Sequence, residues 1–359
     1  MIVIGFFLVV YILVLAGLAY FGRAALVRDT HSPTGAAVSI VIPFRNEAEN
    51  LPTQVEALRQ LTYPSENVEV IFVNDHSQDH GARWLAANLP ANAQLVSLPG
   101  NEYGKKAALA AGIAPARGTI IVTTDADCVM SADWLQAVLA PFANPAVQLA
   151  TGEVVISGST FFSACQHVEF STVMLLTRAA IRLGKPVLCN GANLAFRKSA
   201  YEQVGGYASH RHVASGDDEF LMRTILEQFG DASVAWHRAV VETQPQPHVG
   251  AFFSQRLRWA SKWRHNRSVL ARWIAVVTFC CQAALLGLWI SIPWLGLPGV
   301  VFVTMKTLSD IAFLAAIRPA RPRVVASFVV SCVYPLYVIV VGIAALVVMP
   351  HRWKDRAMA

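Results

Sequence analysis

The sequence predicts an α/β domain on a parallel sheet, carried by apolar helices, one before the domain and about three after it. Three observations predict this. Short Val/Ile-rich runs alternate with helical patterns between residues 30 and 245. Carboxylates directly follow those runs. The 359-residue chain is 55% hydrophobic but only 14% charged, whereas a soluble domain carries roughly 25% charged residues. The deficit is uneven: residues 1–22, 273–305 and 324–350 contain no charged side chain. A bilayer-spanning helix needs roughly 20 apolar residues.

Residues 1–22 read as an uncleaved anchor. The apolar run exceeds the roughly 7–15 residues of a signal peptide, and the nearest basic residues, Arg23 and Arg28, come after it. That order places the following domain, residues 30–248, in the cytoplasm. Residues 37–43, 68–73 and 119–124 are continuous apolar runs, as in buried parallel strands. Helical patterns over 47–61 and 104–116 lie between them, so crossover helices are expected. Ligands of such sheets bind outside the carboxyl ends of the strands, where Arg45, Asp75 and Asp125 fall.

Residues 161–183 and 249–272 read as amphipathic helices on a membrane surface. Spans are expected at 273–292, 295–317 and 324–349 within a C-terminal region 273–350, followed by a tail, 351–359. The middle span carries Lys306 and Asp310 one helical turn apart, a spacing that lets the pair neutralise itself in a bilayer. Arg318, Arg321 and Arg323, between the second and third of these spans, sit well on the cytoplasmic side. An odd span count then puts basic Arg352 and Lys354 outside, against the positive-inside tendency. A re-entrant hairpin over 273–305 would remove that conflict, so the count stays open.

Six scattered cysteines show no zinc spacing, which disfavours a disulfide framework and fits a cytoplasmic catalytic part. The net charge is +6. Much of the surplus (Arg256, Arg258, Lys262, Arg264, Arg267, Arg272) sits before the long apolar tract, where it suits anionic headgroups. No reader motif accompanies it, so nucleic acid is not expected as a partner.

Asp125-Ala126-Asp127 follows a buried strand, and two carboxylates so placed suit Mg²⁺ or Mn²⁺ completed by phosphate oxygens. On a solvated loop the same triplet means nothing. Asp75 closes a strand and reads either as a helix cap or as a nucleotide acceptor. Lys105 follows Gly104 and can meet a phosphate or simply be solvated; the surrounding segment is one residue short of a P-loop. Asp217-Asp218-Glu219 opens a helical run. Crowded acids make a better base, and acids at a helix start also suit its dipole. Gln255-Arg256-Leu257-Arg258-Trp259 offers a cation and an aromatic face, with Trp259 and Trp263 on one side, or else anchors an interface.

In this order the islands resemble the membrane-bound branch of the inverting family 2 glycosyltransferases, which includes cellulose and hyaluronan synthases and ceramide glucosyltransferases. The match covers residues 37–265 and includes Ile42-Pro43 with Asn46-Glu47, Asn74-Asp75-His76, Gly104-Lys105, the DxD triplet, Gly191-Ala192-Asn193, Asp217-Asp218 and QxxRW. The resemblance implies a GT-A-type, Rossmann-like nucleotide-sugar-binding domain. It implies Pro43, Arg45, Glu47, Asp75, Lys105, Asp125 and Asn193 at the nucleotide sugar, and Asp127 with Asp125 at the metal. It implies Asp218, supported by Asp217, as catalytic base. Gln255, Arg258 and Trp259 are implied at the diphosphate and acceptor. Two positions depart from the family. Arg45 stands where many relatives carry an aromatic, though a guanidinium also stacks. The usual Glu-Asp pair is Asp217-Asp218.

The expected activity is single-displacement transfer from a nucleotide-diphosphate sugar to a membrane lipid or lipid-linked acceptor, in a multi-pass protein of a bacterial inner membrane. A processive polysaccharide synthase is the alternative, and a homo-oligomer is left open. A non-catalytic nucleotide-sugar-binding subunit and a nucleotidyltransferase are the rivals from other classes.

Overall fold

A computed structural model describes residues 2–23, 35–208, 216–261, 268–317, 324–346, 351–353 and 356–358. Arg28, Lys262, Trp263, Arg264, Arg267, Arg318, Arg321, Arg323 and Lys354 lie outside the described residues, and with them the expected juxtamembrane charge pattern. The chain divides into two compact units. One comprises Leu26–Val155, Gly184–Gln244 and Pro350–Ala359; the other comprises Met1–Ala25, Ile156–Leu183 and Pro245–Met349. The segment Ile156–Leu183, inside the expected 30–248 domain, thus groups with the apolar helices.

The first unit is built on an eight-stranded sheet. Its first half runs β1 (Val38–Phe44), α2 (Leu51–Arg59), β2 (Val68–Asn74), α3 (Gly81–Asn88), β3 (Ala93–Ser97), α4 (Lys105–Ile113) and β4 (Ile120–Thr123). Then follow β5 (Val129–Met130), α5 (Trp134–Leu139), β6 (Leu149–Ile156), β7 (Leu194–Arg197), α7 (Lys198–Gln203), α8 (Asp217–Phe229) and β8 (Val234–Thr243). The strand order is β3-β2-β1-β4-β7-β6-β8-β5. The first four strands are mutually parallel. β7 then pairs antiparallel to both β4 and β6, and β5 antiparallel to β8. The sheet is therefore mixed rather than wholly parallel. The sequence reading named only the Val/Ile-rich runs, and the antiparallel half is shorter or alternating in pattern.

The parallel half sets up the site. β1 is buried along its whole length, which its continuous apolar run requires. Phe44 registers with Asn74, and Val41 with Thr123, so the carboxyl ends of β1, β2 and β4 share one edge. α4 lies close against these strands. A Cβ on Gly112 would come within 2.5 Å of Val41 Cγ1 and 2.8 Å of Val73 Cγ2, so this helix approaches only because the residue is glycine.

The second unit is helical: α1 (Ile2–Arg23), α6 (Phe161–Arg182), α9 (Val249–Ser261), α10 (Val269–Ile290), α11 (Ile292–Leu295), α12 (Leu297–Ile317) and α13 (Val324–Leu346). α1 packs on α6 and α12, and α13 on α6, α9, α10 and α12. α6 and α9 are thus packed elements with partners on more than one side. Gly296, at φ 59°, makes the turn between α11 and α12. Among the described residues, α10 and α13 have the length and apolar composition to cross a bilayer. The expected pair in α12 forms: Lys306 Nζ lies 2.6 Å from Asp310 Oδ2. Lys306 also donates to Ser331 O and Oγ, both at 3.0 Å, and Tyr11 Oη donates to Asp310 Oδ1 at 2.6 Å. The network therefore joins α1, α12 and α13. A short pairing of β9 (His351–Trp353) with β10 (Arg356–Met358) ends the chain.

Candidate active site

The site is assembled at the carboxyl ends of the parallel strands. β1 runs into Arg45, whose guanidinium is 5% exposed. Its Nη1 donates to Asp75 O at 3.0 Å and His76 O at 2.9 Å. Arg45, expected at the nucleotide sugar, clamps the loop after β2, because those carbonyls face it at hydrogen-bond distance. Asp75 is wholly buried, and its Oδ2 accepts the Gly104 N–H at 2.9 Å. Gly104 sits at φ 95°, a conformation that a Cβ disfavours, and leads directly into α4. Asn46 and His76, at φ 54° and 52°, lie on adjacent strand-end loops, and such backbone outliers gather at functional sites. Asn46 Oδ1 accepts from Gln78 N, and Asn46 N donates to Ser77 Oγ. Glu47 is nearly buried and accepts from Asn50 Nδ2 at 2.6 Å. Pro43 lies within buried β1.

Four of the sequence islands meet around Lys105. Its Nζ lies 2.6 Å from Asp125 Oδ1 and 3.7 Å from Asp217 Oδ2. Burial by itself would lower the ammonium pKa, but Asp125, Asp217 and Asp218 outweigh it and hold the group above its ordinary range. Asp218 follows at the start of α8. Its Oδ2 accepts from Gly191 N at 3.0 Å and its Oδ1 from Glu219 N at 2.7 Å. The second bond satisfies one of the free N–H groups of the helix's first turn, where an acid also suits the dipole. Glu219, the third acid, turns instead to Arg223.

Sequence reasoning missed the supports of this cluster. Gly191 O accepts from Thr123 Oγ1 at 2.8 Å, tying the end of β4 to the loop that holds Asp218. A Cβ on Gly191 would lie 3.0 Å from Asp217 Oδ2 and 3.5 Å from Lys105 Nζ, so the glycine leaves room for the pair. Gln54, wholly buried on α2, donates to Asp125 O at 2.7 Å. Thr243 Oγ1 donates to Asp127 Oδ2 at 3.1 Å. No local pattern marks Gln54 or Thr243, because each partner is far away in sequence.

Asn193, expected at the nucleotide sugar, is wholly buried. Its Nδ2 donates to Glu153 O of β6 and Ala239 O of β8, and its Oδ1 accepts from Trp134 Nε1 of α5. The side-chain amide thereby ties the antiparallel strands to each other and to α5.

The carboxylates of Asp125 and Asp127 are hard oxygen donors. Burial, then Asp127 and Asp125, pushes the Cys128 thiol well up. Among the described residues no three His, Cys, Asp or Glu side chains converge to form a complete cage. The pair therefore fits a cation whose remaining ligands come from phosphate and water.

Gln255, Arg258 and Trp259 belong to the helical unit, on α9. Arg256, expected among the headgroup-facing charges, is 3% exposed there. It pairs with Glu169 of α6 at 2.6 Å, because a buried guanidinium requires a carboxylate.

Residues 39–205 match the Glycosyl transferase family 2 model. Glycosyltransferase AglE of Haloferax volcanii is 25% identical over 268 residues, 73% of this chain and 82% of the relative. An undecaprenyl-phosphate 4-deoxy-4-formamido-L-arabinose transferase of Serratia proteamaculans is 40% identical over 96 residues, and the match spans 25% of this chain and 28% of that protein. The solved mannosyltransferase PcManGT of Pyrobaculum calidifontis superposes with a TM-score of 0.60 over 93% of this chain and 98% of that one, at 19% identity. This likeness shows a shared GT-A fold. The matched segment, its fold and the order of its islands make residues 39–205 a family 2 glycosyltransferase domain.

Proposed function

We propose that the protein transfers a sugar, with inversion at C1, from a nucleotide-diphosphate sugar to a membrane lipid or lipid-linked acceptor. The observation that carries this reading is Lys105 between Asp125 and Asp217, with Asp218 one residue further on. One cation thus stands beside the carboxylates of both the DxD triplet and the Asp-Asp pair. The similar mannosyltransferase was solved with GDP-Man and Mn²⁺, and the arabinose transferase is named for an undecaprenyl-phosphate acceptor.

In this reading an acceptor hydroxyl attacks C1 as Asp218 takes its proton. The bond from C1 to the diphosphate oxygen breaks, and the diphosphate leaves with the electron pair. Lys105 places positive charge where that negative charge develops. Asp127 and Asp125 would hold Mg²⁺ or Mn²⁺, which supplies further neutralisation of the leaving group. Gln255, Arg258 and Trp259 are assigned to the diphosphate and acceptor. Pro43, Arg45, Glu47, Asp75 and Asn193 are assigned to the nucleotide sugar.

α10 and α13 support a membrane location. Most of α10 is unburied, unlike a soluble core helix, and Trp273, Val276 and Val277 are more than half exposed.

Membranes containing the protein, supplied with labelled UDP- and GDP-sugars, are expected to move label into organic extract. Label in insoluble polymer identifies a processive synthase instead. Asp218→Asn is expected to lower transfer about 10²–10⁴-fold while UDP or GDP still binds. Full turnover by that variant removes Asp218 from the role of base and points to an acceptor that is already ionised, such as a phosphate oxygen.

A further inference from the structure

We propose that Arg256, Glu169 and Tyr337 are positioning residues for the QxxRW island, setting Gln255 and Trp259 through a single buried guanidinium. The inference rests on the reading that Gln255, Arg258 and Trp259 serve the transferred group.

Arg256 lies between the two outer members of its own motif. Its Nη1 donates to Gln255 Oε1. Its guanidinium carbon sits 4.3 Å from the centre of the Trp259 ring and 4.5 Å from that of Phe252. The Trp259 ring centre is also 5.5 Å from that of Phe170, which itself lies 5.8 Å from the guanidinium carbon. The guanidinium is then locked from outside the helix. Nε and Nη2 donate to the two oxygens of Glu169 at 3.2 and 2.6 Å, a two-pronged geometry that lysine cannot copy. Glu169 is 8% exposed, and its Oε1 also accepts from Tyr337 Oη at 3.1 Å. α6, α9 and α13 each contribute one member.

Buried ion pairs are poor sources of stability compared with apolar residues of similar volume. What apolar side chains cannot supply is a donor for Gln255 and a flat cation against Trp259. The cluster therefore fixes orientation on α9, and its loss acts on the transfer step through the island.

The test uses the full chain in lipid vesicles with UDP-glucose and GDP-mannose as donor probes, reading release of nucleoside diphosphate. Arg256→Lys and Glu169→Gln are expected to lower kcat about 10²-fold, as for a misplacement of about 1 Å, with donor KM near wild type; Glu169→Gln, which leaves the buried guanidinium without its carboxylate, also lowers the thermal midpoint. Tyr337→Phe removes one hydroxyl from the cluster and is expected to lower kcat in the same direction by less. Arg258→Ala is the control for the reading itself. Wild-type kcat in Glu169→Gln and Tyr337→Phe, with Arg258→Ala inactive, overturns the inference and leaves the reading standing. Wild-type kcat in Arg258→Ala overturns the reading and the inference together. Where Glu169→Gln does not fold, Tyr337→Phe decides alone.

Discussion

Lys105 is the cation shared by the DxD triplet and the Asp-Asp pair, and its charge state is set by the carboxylates around it. Because its pKa is held above the ordinary value, the stability it contributes is complete below the unfolded value of about 10.4. It is lost only as pH climbs through the higher folded value. Lys105 therefore remains charged throughout the neutral range. Lys105→Met is expected to weaken UDP or GDP binding about 10–100-fold, the worth of a charge-assisted hydrogen bond; titration calorimetry measures it, and unchanged affinity removes Lys105 from the phosphates. His237 has the opposite sign. It is wholly buried on β8, and burial lowers its pKa from 6.5 to about 3. The unfolded chain takes up a proton below 6.5 that the folded chain refuses. Stability from neutral His237 is thus present above pH 6.5 and lost as pH falls toward 3. Thermal midpoints are expected to decline from pH 6.5 to 5, and His237→Leu should flatten that slope.

Among the elements, α12 carries the sharpest test. Lys306 is 1% exposed, and Asp310, Ser331 O and Ser331 Oγ lie within hydrogen-bond distance of its ammonium. Asp310→Ala leaves that ammonium buried without its carboxylate, and is expected to cost about 3–5 kcal/mol. Replacing both as Lys306→Leu with Asp310→Leu is expected to cost less than the single change. Thermal unfolding in detergent compares the two, and equal losses would show that the pair is not coupled. Spacing alone forecast this pair, because residues four apart on a helix face each other. Spacing could not forecast that Tyr11 and Ser331 join it, since they come from helices far away in sequence. α9 shows the same limit: its Arg256 looks like an interfacial charge until Glu169, 87 residues earlier, is brought against it.

At the scale of the whole molecule, a mixed α/β unit is joined to a helical unit whose outward side chains are largely apolar. Trp294, Leu297 and Val325 are each at least two-thirds exposed, and exposed apolar surface of this kind marks an interaction with lipid or protein. The full-length protein is expected to stay in the membrane pellet after an alkaline carbonate wash; recovery in the supernatant would remove the bilayer from the proposal. The division into units also cuts across the linear order, since α6 lies between strands of the sheet in sequence yet groups with the apolar helices. Periodicity identifies such a helix but carries no record of which neighbours bury it.

The sequence by itself determined the strands β1, β2 and β4, the carboxylates at their ends, the apolar helices and the family. All of these are written in short-range spacing, which backbone geometry enforces locally. Tertiary structure alone decided that Lys105 stands between Asp125 and Asp217, that Arg45 clamps a loop, and that Asn193 is consumed inside the sheet. It also decided that β7 turns the parallel sheet into a mixed one. Those outcomes depend on partners brought together from distant parts of the chain, and a buried polar group takes whichever partner the packing places within reach.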